Sequence, residues 1–157
     1  MAGYKLAECM FIAGALVGET LRSKPQQGKR LLEPLKAFAA ANGLPLNVLE
    51  DHEVSNEAEV HRHEGDLWLC LQGEVAFVYG GEMVDPWAKA LPDGGMDDCE
   101  IKANEIRGGT ERVLMTDDWL WIPAGQPHLH RTAKTARLAI IKIPAKELVP
   151  LEAVPGW

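Results

Sequence analysis

The apolar positions of this chain change period once, near residue 46. Before that point Leu6, Met10, Ala13, Val17 and Leu21 recur at spacings of three and four, which predicts a helix with one apolar face over residues 4–22. Gly14 and Gly18 weaken it. Residues 23–28 read as a loop by composition. A second helix is predicted over residues 29–41 along Leu31, Leu35 and Phe38, with Asn42-Gly43 as its stop. Pro34 leaves two options open: the helix starts near Glu33, or it is kinked. From Leu46 onward the period is two. Residues 46–48, 58–63, 67–72, 75–79, 113–115, 119–122 and 135–143 read as short strands separated by Gly and Pro turns. His128-Leu129-His130 enters a further strand from a tight loop, Pro123-Ala124-Gly125-Gln126-Pro127. Residues 82–111 show little period, and a long insertion with a short helix near residues 98–106 is expected there. The pattern predicts a mainly β protein, a sandwich or barrel over residues 46–157 with an N-terminal helical extension over residues 1–45.

A chain of 157 residues suits one domain, and 46 % apolar residues supply its core. The net charge of −7 argues against a nucleic-acid partner and against docking on an acidic membrane surface. Cys9, Cys70 and Cys99 are an odd number at irregular spacing, which points away from a disulfide framework and toward a reducing, cytoplasmic setting. The apolar run over residues 9–18 is shorter than the ~20 residues of a membrane span. It is expected to be a retained, buried helix rather than a signal peptide.

Candidate chemistry concentrates in residues 59–73. On an extended strand Glu59, His61 and His63 share one face. A turn at Glu64-Gly65 would then bring Asp66 beside them, with Trp68 and Cys70 continuing its face. His128, fixed by the Pro123–Pro127 loop, supplies a third imidazole. His61, His63, Asp66 and His128 thus form a candidate ligand set for one divalent transition metal: Fe, Mn, Ni, Zn or Cu. One strand histidine is ordinarily a structural or surface residue; this combination is a much rarer coincidence. Glu59 reads as a general base or as an orienting partner of a histidine. His130 reads as a proton shuttle or as a rim residue. Trp68, Cys70 and Trp121 are candidate walls of a substrate pocket, against a default of core packing. Arg137 reads either as a partner for a substrate carboxylate or as a solvated charge.

These motifs resemble the cupin superfamily. His61-x-His63, Asp66 and Gly73 match the second half of its first signature, with six residues between Asp66 and Gly73 as the family spacing requires. Pro123-x-Gly125 and His128 match the middle of the second. The chain departs from the pattern in having Asp66 for Glu, Asp117 for Gly and Thr132 for Asn, and in a linking loop one residue short. The resemblance implies a double-stranded β-helix, or jelly-roll barrel, with His61, His63, Asp66 and His128 as metal ligands. A weaker likeness, in Glu59-x-His61-x4-Asp66-x6-Gly73, is to the β-galactosidase β-subunit (YhcH-type) group, which is cupin-like. The expectation is an enzyme acting on a small organic acid, aromatic or sugar-derived molecule, of dioxygenase or isomerase/epimerase type. The alternative is a non-catalytic module that binds or senses a small ligand. A homodimer is expected, because Leu67, Leu69 and Leu71 need a cover.

Overall fold

The computed structural model describes residues 7–157. The first predicted helix shrinks to α1 (Gly14–Thr20). Residues 7–13 are not helical, and the start of the prediction lies outside the described residues. The second helix is also shorter. Residues Gly28–Leu31 form strand β1 rather than helix, and α2 (Leu35–Asn42) begins only after Pro34. A proline lacks the N–H that a helix interior needs but fits its edge. Gly43 ends α2 in the left-handed conformation (φ 60°).

From residue 46 to residue 144 the chain is antiparallel β structure: β2 (Leu46–Ser55), β3 (Ala58–His61), β4 (Glu64–Gln72), β5 (Val75–Tyr79), β6 (Glu82–Val84), β7 (Trp87–Ala90), β8 (Met96–Ala103), β9 (Glu105–Arg107), β10 (Thr110–Leu114), β11 (Trp119–Ile122) and β12 (His128–Pro144); a short 3-10 turn follows at Leu151–Ala153. The expected helix near residues 98–106 is absent: β8 and β9 occupy that segment. Ile101 and Ala103 are buried on β8 while Lys102 between them is not, so that segment follows a strand's period.

Ten strands join one sheet, with β12 at its hub. It pairs with β2, β3, β4 and β5. A straight strand from His128 to Lys142 would span roughly 45 Å. Both residues instead reach Asp66, so β12 curls around the barrel. The bend falls at the break in register between Thr132 and Thr135, where the Thr132 hydroxyl is bonded to the Lys134 backbone. The barrel core is packed by Leu49, Trp68, Cys70, Val75, Phe77, Leu114, Ile122, Ala136 and Leu138. A second cluster, Leu32, Leu35 and Val48, seats the N-terminal segment on the outer face of β2.

Arg137 ties that segment down. Its Nε and Nη2 donate to the buried Glu50 carboxylate at 2.8 and 2.7 Å, and its Nη1 and Nη2 donate to the Leu21 and Ser23 carbonyls. The guanidinium is committed to structure, which removes it as a partner for a substrate carboxylate. Among the described residues no helix is long and apolar enough to cross a membrane.

Candidate metal centre

Strand register assembles the site. His128 on β12 lies opposite Glu59 on β3. Across the other edge of β3, Glu59 faces Lys102 and His61 faces Glu100, both on β8. Asp66 on β4 lies opposite Ile122 of β11 on one side and Lys142 of β12 on the other. Directly opposed residues on an antiparallel pair have side chains within reach of each other. The polar side chains therefore meet at one end of the barrel.

Glu59, His61 and His128 each offer a ligand atom within 4.8 Å of the others. Glu59 Oε1 lies 3.6 Å from His61 Nε2 and 3.5 Å from His128 Nε2. Asp66 Oδ2 repeats this from the other side, at 3.6 and 3.5 Å. Adjacent ligands on a first-row divalent ion with bonds near 2.1 Å stand about 3.0–3.4 Å apart, so a small inward movement would close the Glu59, His61 and His128 atoms on such an ion, with Asp66 set against the two histidines. The donor set of imidazole and carboxylate suits Zn(II), Mn(II), Fe(II), Ni(II) or Cu(II). Two of the atoms aimed at the shared space, His128 Nε2 and Asp66 Oδ2, are buried without a hydrogen-bond partner. Buried polar atoms are normally satisfied, and a bound cation would satisfy both. On these grounds the residues present fit a metal ion.

The electrostatics follow from the packing. Burial raises the Glu59 carboxyl, but the His128 and His61 rings beside it outweigh that and hold the group well below the carboxylate range. Asp66 is lowered against its own burial by His128, His61 and Lys142. For His128 burial favours the neutral ring, yet Asp66 and Glu59 hold its pKa up to about 9. The Gln126 carbonyl, 3.1 Å from Nδ1, accepts that N–H and leaves Nε2 facing the cluster. Two lysines face the same group. Lys142 Nζ lies 2.7 Å from Asp66 Oδ1 and 3.2 Å from His61 Nε2. Lys102 Nζ bridges Glu59 Oε2 at 3.1 Å and Glu100 Oε1 at 2.8 Å.

The structure brings together His61, Asp66, His128 and Glu59 but leaves His63 apart. Strand β3 ends at His61, and the bend falls at Arg62-His63 rather than at Glu64-Gly65, which already belong to β4. Alternation fails there. The His63 ring is 47 % exposed, and its Nε2 lies 3.7 Å from Glu64 Oε2. Arg62 sets the bend: buried, it binds Asp98 Oδ2 and the carbonyls of Asp98 and Val149.

His130 is buried away from the four converging atoms. Its Nε2 lies 2.7 Å from Asp51 Oδ2 and 2.6 Å from Asn56 Nδ2, and its ring packs on Trp68 and Phe77. Cys70 is a core residue whose Sγ donates to the Gln72 and Gly73 carbonyls. Burial raises its thiol, which leaves it the protonated, inert form. Trp121 points outward and is 48 % exposed, because on β11 Leu120 and Ile122 take the inner face. Trp68 alone of the three expected pocket walls lines the cavity beside Glu59 and His61. Lys142 and Lys102 carry little signal in the sequence. Their only signal is a charge interrupting an apolar strand, as in Ile141-Lys142-Ile143.

The antiparallel barrel, with His61, Asp66 and His128 at one end, agrees with the fold that the resemblance to cupins implies. No protein-family model and no curated protein matches the chain. Solved structures resemble it at low identity. The protein NMB1881 from Neisseria meningitidis is 11 % identical, with 84 % of this chain and 99 % of that one covered at a TM-score of 0.48. BH2720 from Bacillus halodurans is 17 % identical, covering 88 % and 84 % at 0.47. The Drosophila melanogaster CENP-C cupin domain is 14 % identical, with 62 % of this chain and 59 % of that one covered at 0.42. All three TM-scores lie below 0.5, and the functional assignment rests on this chain's own side chains.

Proposed function

We propose that the chain is a metal-dependent enzyme in which Glu59, His61 and His128, with Asp66 against both histidines, hold one divalent transition metal. The observation that carries this reading is the convergence of two carboxylates and two imidazoles, with two of their buried atoms unpartnered. When bound, such an ion supplies Lewis acidity to a carbonyl or carboxylate oxygen. The protein's own residues do the rest. Gln126 fixes the His128 ring, Lys102 neutralises the outer oxygen of Glu59, and Lys142 places its Nζ at the cavity wall against Asp66. An ammonium at the cavity wall that can stabilise negative charge developing on a substrate oxygen favours isomerisation or epimerisation over oxygen chemistry. The substrate is a small organic molecule bound in the adjoining cavity of about 550 Å³, a volume within the range of small-molecule sites.

The test is solvent deuterium exchange. Protein loaded with Zn(II), Mn(II) or Ni(II) is incubated in D2O with a panel of 2-hydroxy and 2-keto acids and followed by proton NMR. Exchange at the α-carbon that disappears in His128→Ala supports the proposal. Oxygen uptake by the Fe(II) form without any exchange would replace it with the dioxygenase reading, and neither activity would leave a ligand-binding module.

We also propose a homodimer. The outer face of β11, β4 and β12 aligns Trp119 with Leu69, Trp121 with Leu67, and Leu67 with Ile141. Both tryptophans are exposed, and a contiguous apolar face of this kind marks an interaction surface.

A further inference from the structure

The short linker between the strands that carry His61 and Asp66 is gripped from outside the barrel. His61 ends β3 and Asp66 follows early on β4, so the backbone of Arg62 and His63 sets where both side chains start. The carbonyls of His61, Arg62 and His63 accept N–H bonds from Gly125, Val149 and Ala145 at 2.8, 2.8 and 2.9 Å. The Arg62 N–H donates in turn to the Cys99 carbonyl at 2.9 Å. Gly125 belongs to the loop that leads into β12. Ala145 and Val149 belong to a C-terminal strap, residues 145–157.

The buried Arg62 side chain repeats this pattern. Its Nε donates to the Val149 carbonyl at 2.7 Å, and its Nη1 reaches the Asp98 carbonyl and Asp98 Oδ2, each at 2.7 Å. Asp98 and Cys99 lie where β8 bulges away from β7: Ala88 pairs with Ile101, but Lys89 pairs with Asp97. A bulge leaves backbone groups without ladder partners, and Arg62 takes up both of these carbonyls. Val149 also reaches the support of the second histidine. A Cβ on Gly125 would lie 2.9 Å from Val149 Cγ1, so the strap packs closely on that loop. The next residue, Gln126, holds His128 Nδ1. One strap residue thus braces both the backbone beside His61 and the loop that orients His128. The strap itself is lightly held: Lys146, Glu147 and Leu148 are exposed, and of residues 145–157 Val154 alone is buried. Segments with few buried contacts open locally at low free energy.

On the basis of the metal centre proposed above, we propose that Arg62 and Val149 are positioning residues of that centre, so that docking of the C-terminal strap and metal binding favour each other. Losing a group that orients a metal ligand costs about 10- to 100-fold in metal affinity. Coupling between two equilibria is reciprocal, so the metal must hold the strap down by the same factor that the docked strap adds to metal affinity. A strap that served only to cover the apolar cluster around Val60, Met83 and Ile101 would be indifferent to the metal.

The test uses the full chain and Zn(II). Competition with a chromophoric chelator reads affinity, and residue-resolved amide exchange by NMR reads opening of the strap. In the wild type, saturating Zn(II) is expected to slow exchange at the Ala145 and Val149 N–H groups at least tenfold more than at Phe38 on α2. Arg62→Met should weaken Zn(II) tenfold or more and abolish that extra protection; Arg62→Lys, which cannot keep all three contacts, serves if the first variant fails to fold. Val154→Ala loosens the buried anchor of the strap without touching Arg62 or a ligand, and should weaken Zn(II) several-fold. Leu35→Ala loosens the N-terminal cluster instead and should leave the affinity unchanged, whereas a general loss of stability would move the two alike. Zinc bound without extra protection of the strap, Arg62 and Val154 variants that keep wild-type affinity, or Leu35→Ala matching Val154→Ala overturns the proposal and leaves the metal centre standing. A wild type that takes up no Zn(II) removes both.

Discussion

Lys142→Met should make the protein bind metal more tightly, although it removes a residue from the site. In the structure the Lys142 ammonium lies 3.2 Å from His61 Nε2 and 2.7 Å from Asp66 Oδ1. The nitrogen that would give its lone pair to a metal therefore has an ammonium as its neighbour. Loading a dication must displace that contact and place two positive charges near a third. Two unit charges 4 Å apart interact by about 4 kcal/mol at an effective dielectric of 20 and about 1 kcal/mol in water. The Lys142 side chain is 32 % exposed and can swing toward solvent, so the lower part of that range applies, about 1–2 kcal/mol. That corresponds to roughly five- to thirtyfold in affinity. Methionine keeps an unbranched stem of similar reach beside Ile141 and Ile143, so packing changes little. Competition of Zn(II) between the protein and a chromophoric chelator at pH 7.5 reads the change directly. Equal or weaker affinity in the variant would refute the reasoning, because the lysine would then be a neighbour of the metal group and not a competitor for it.

Metal uptake should also depend on pH through His128. Its folded pKa of about 9 lies above the ordinary 6.5, so the metal-free protein carries stability from this group that is complete below pH 6.5 and lost as pH rises through 9. Binding displaces the proton: calorimetry at pH 7 in buffers of different ionisation enthalpy should show about one proton released per metal, falling toward zero above pH 9. No release at pH 7 would contradict the protonated imidazole. Arg137→Met leaves Glu50 buried without its main partner and should cost about 3–5 kcal/mol in urea unfolding; a loss below 1 kcal/mol would mean the pair is not what seats the N-terminal segment. Light scattering should give a dimer at micromolar concentration and a monomer for the Trp119→Lys, Trp121→Lys double variant, whereas a monomeric wild type would contradict the proposed interface.

Much of this was legible from the residues. The period-two runs located β3 to β5, β11 and the first residues of β2, whose polar half over residues 50–55 hides the strand, and the spacing from Asp66 to Gly73 was informative for a physical reason. Gly73 adopts φ +77°, and a Cβ there would lie 2.3 Å from the Thr135 carbonyl oxygen. Only glycine fits that turn, so the motif marks a backbone constraint that fixes how β4 enters β5. Glu59 was legible too, since alternation puts it on the face of His61. His63 was misplaced because alternation holds only while the strand lasts. The bend at Arg62 is set by Asp98 and Val149, partners far along the chain that no local pattern reveals. Lys142 was invisible for a related reason: its role comes from lying opposite Asp66, and register depends on the whole sheet. The strands of residues 82–107 escaped because most of their side chains are only partly buried, which blurs the apolar alternation a strand ordinarily shows.

The central claim is that Glu59, His61 and His128, with Asp66, hold a metal ion. Elemental analysis of the purified protein after reconstitution and desalting tests it most directly. The expected result is close to one divalent transition metal per chain in the wild type, with His61→Ala and His128→Ala each reducing it below a tenth. His63→Ala should leave it unchanged. Metal retained in both of the first two variants, or lost in His63→Ala, would contradict the assignment, and so would a wild type that retains none.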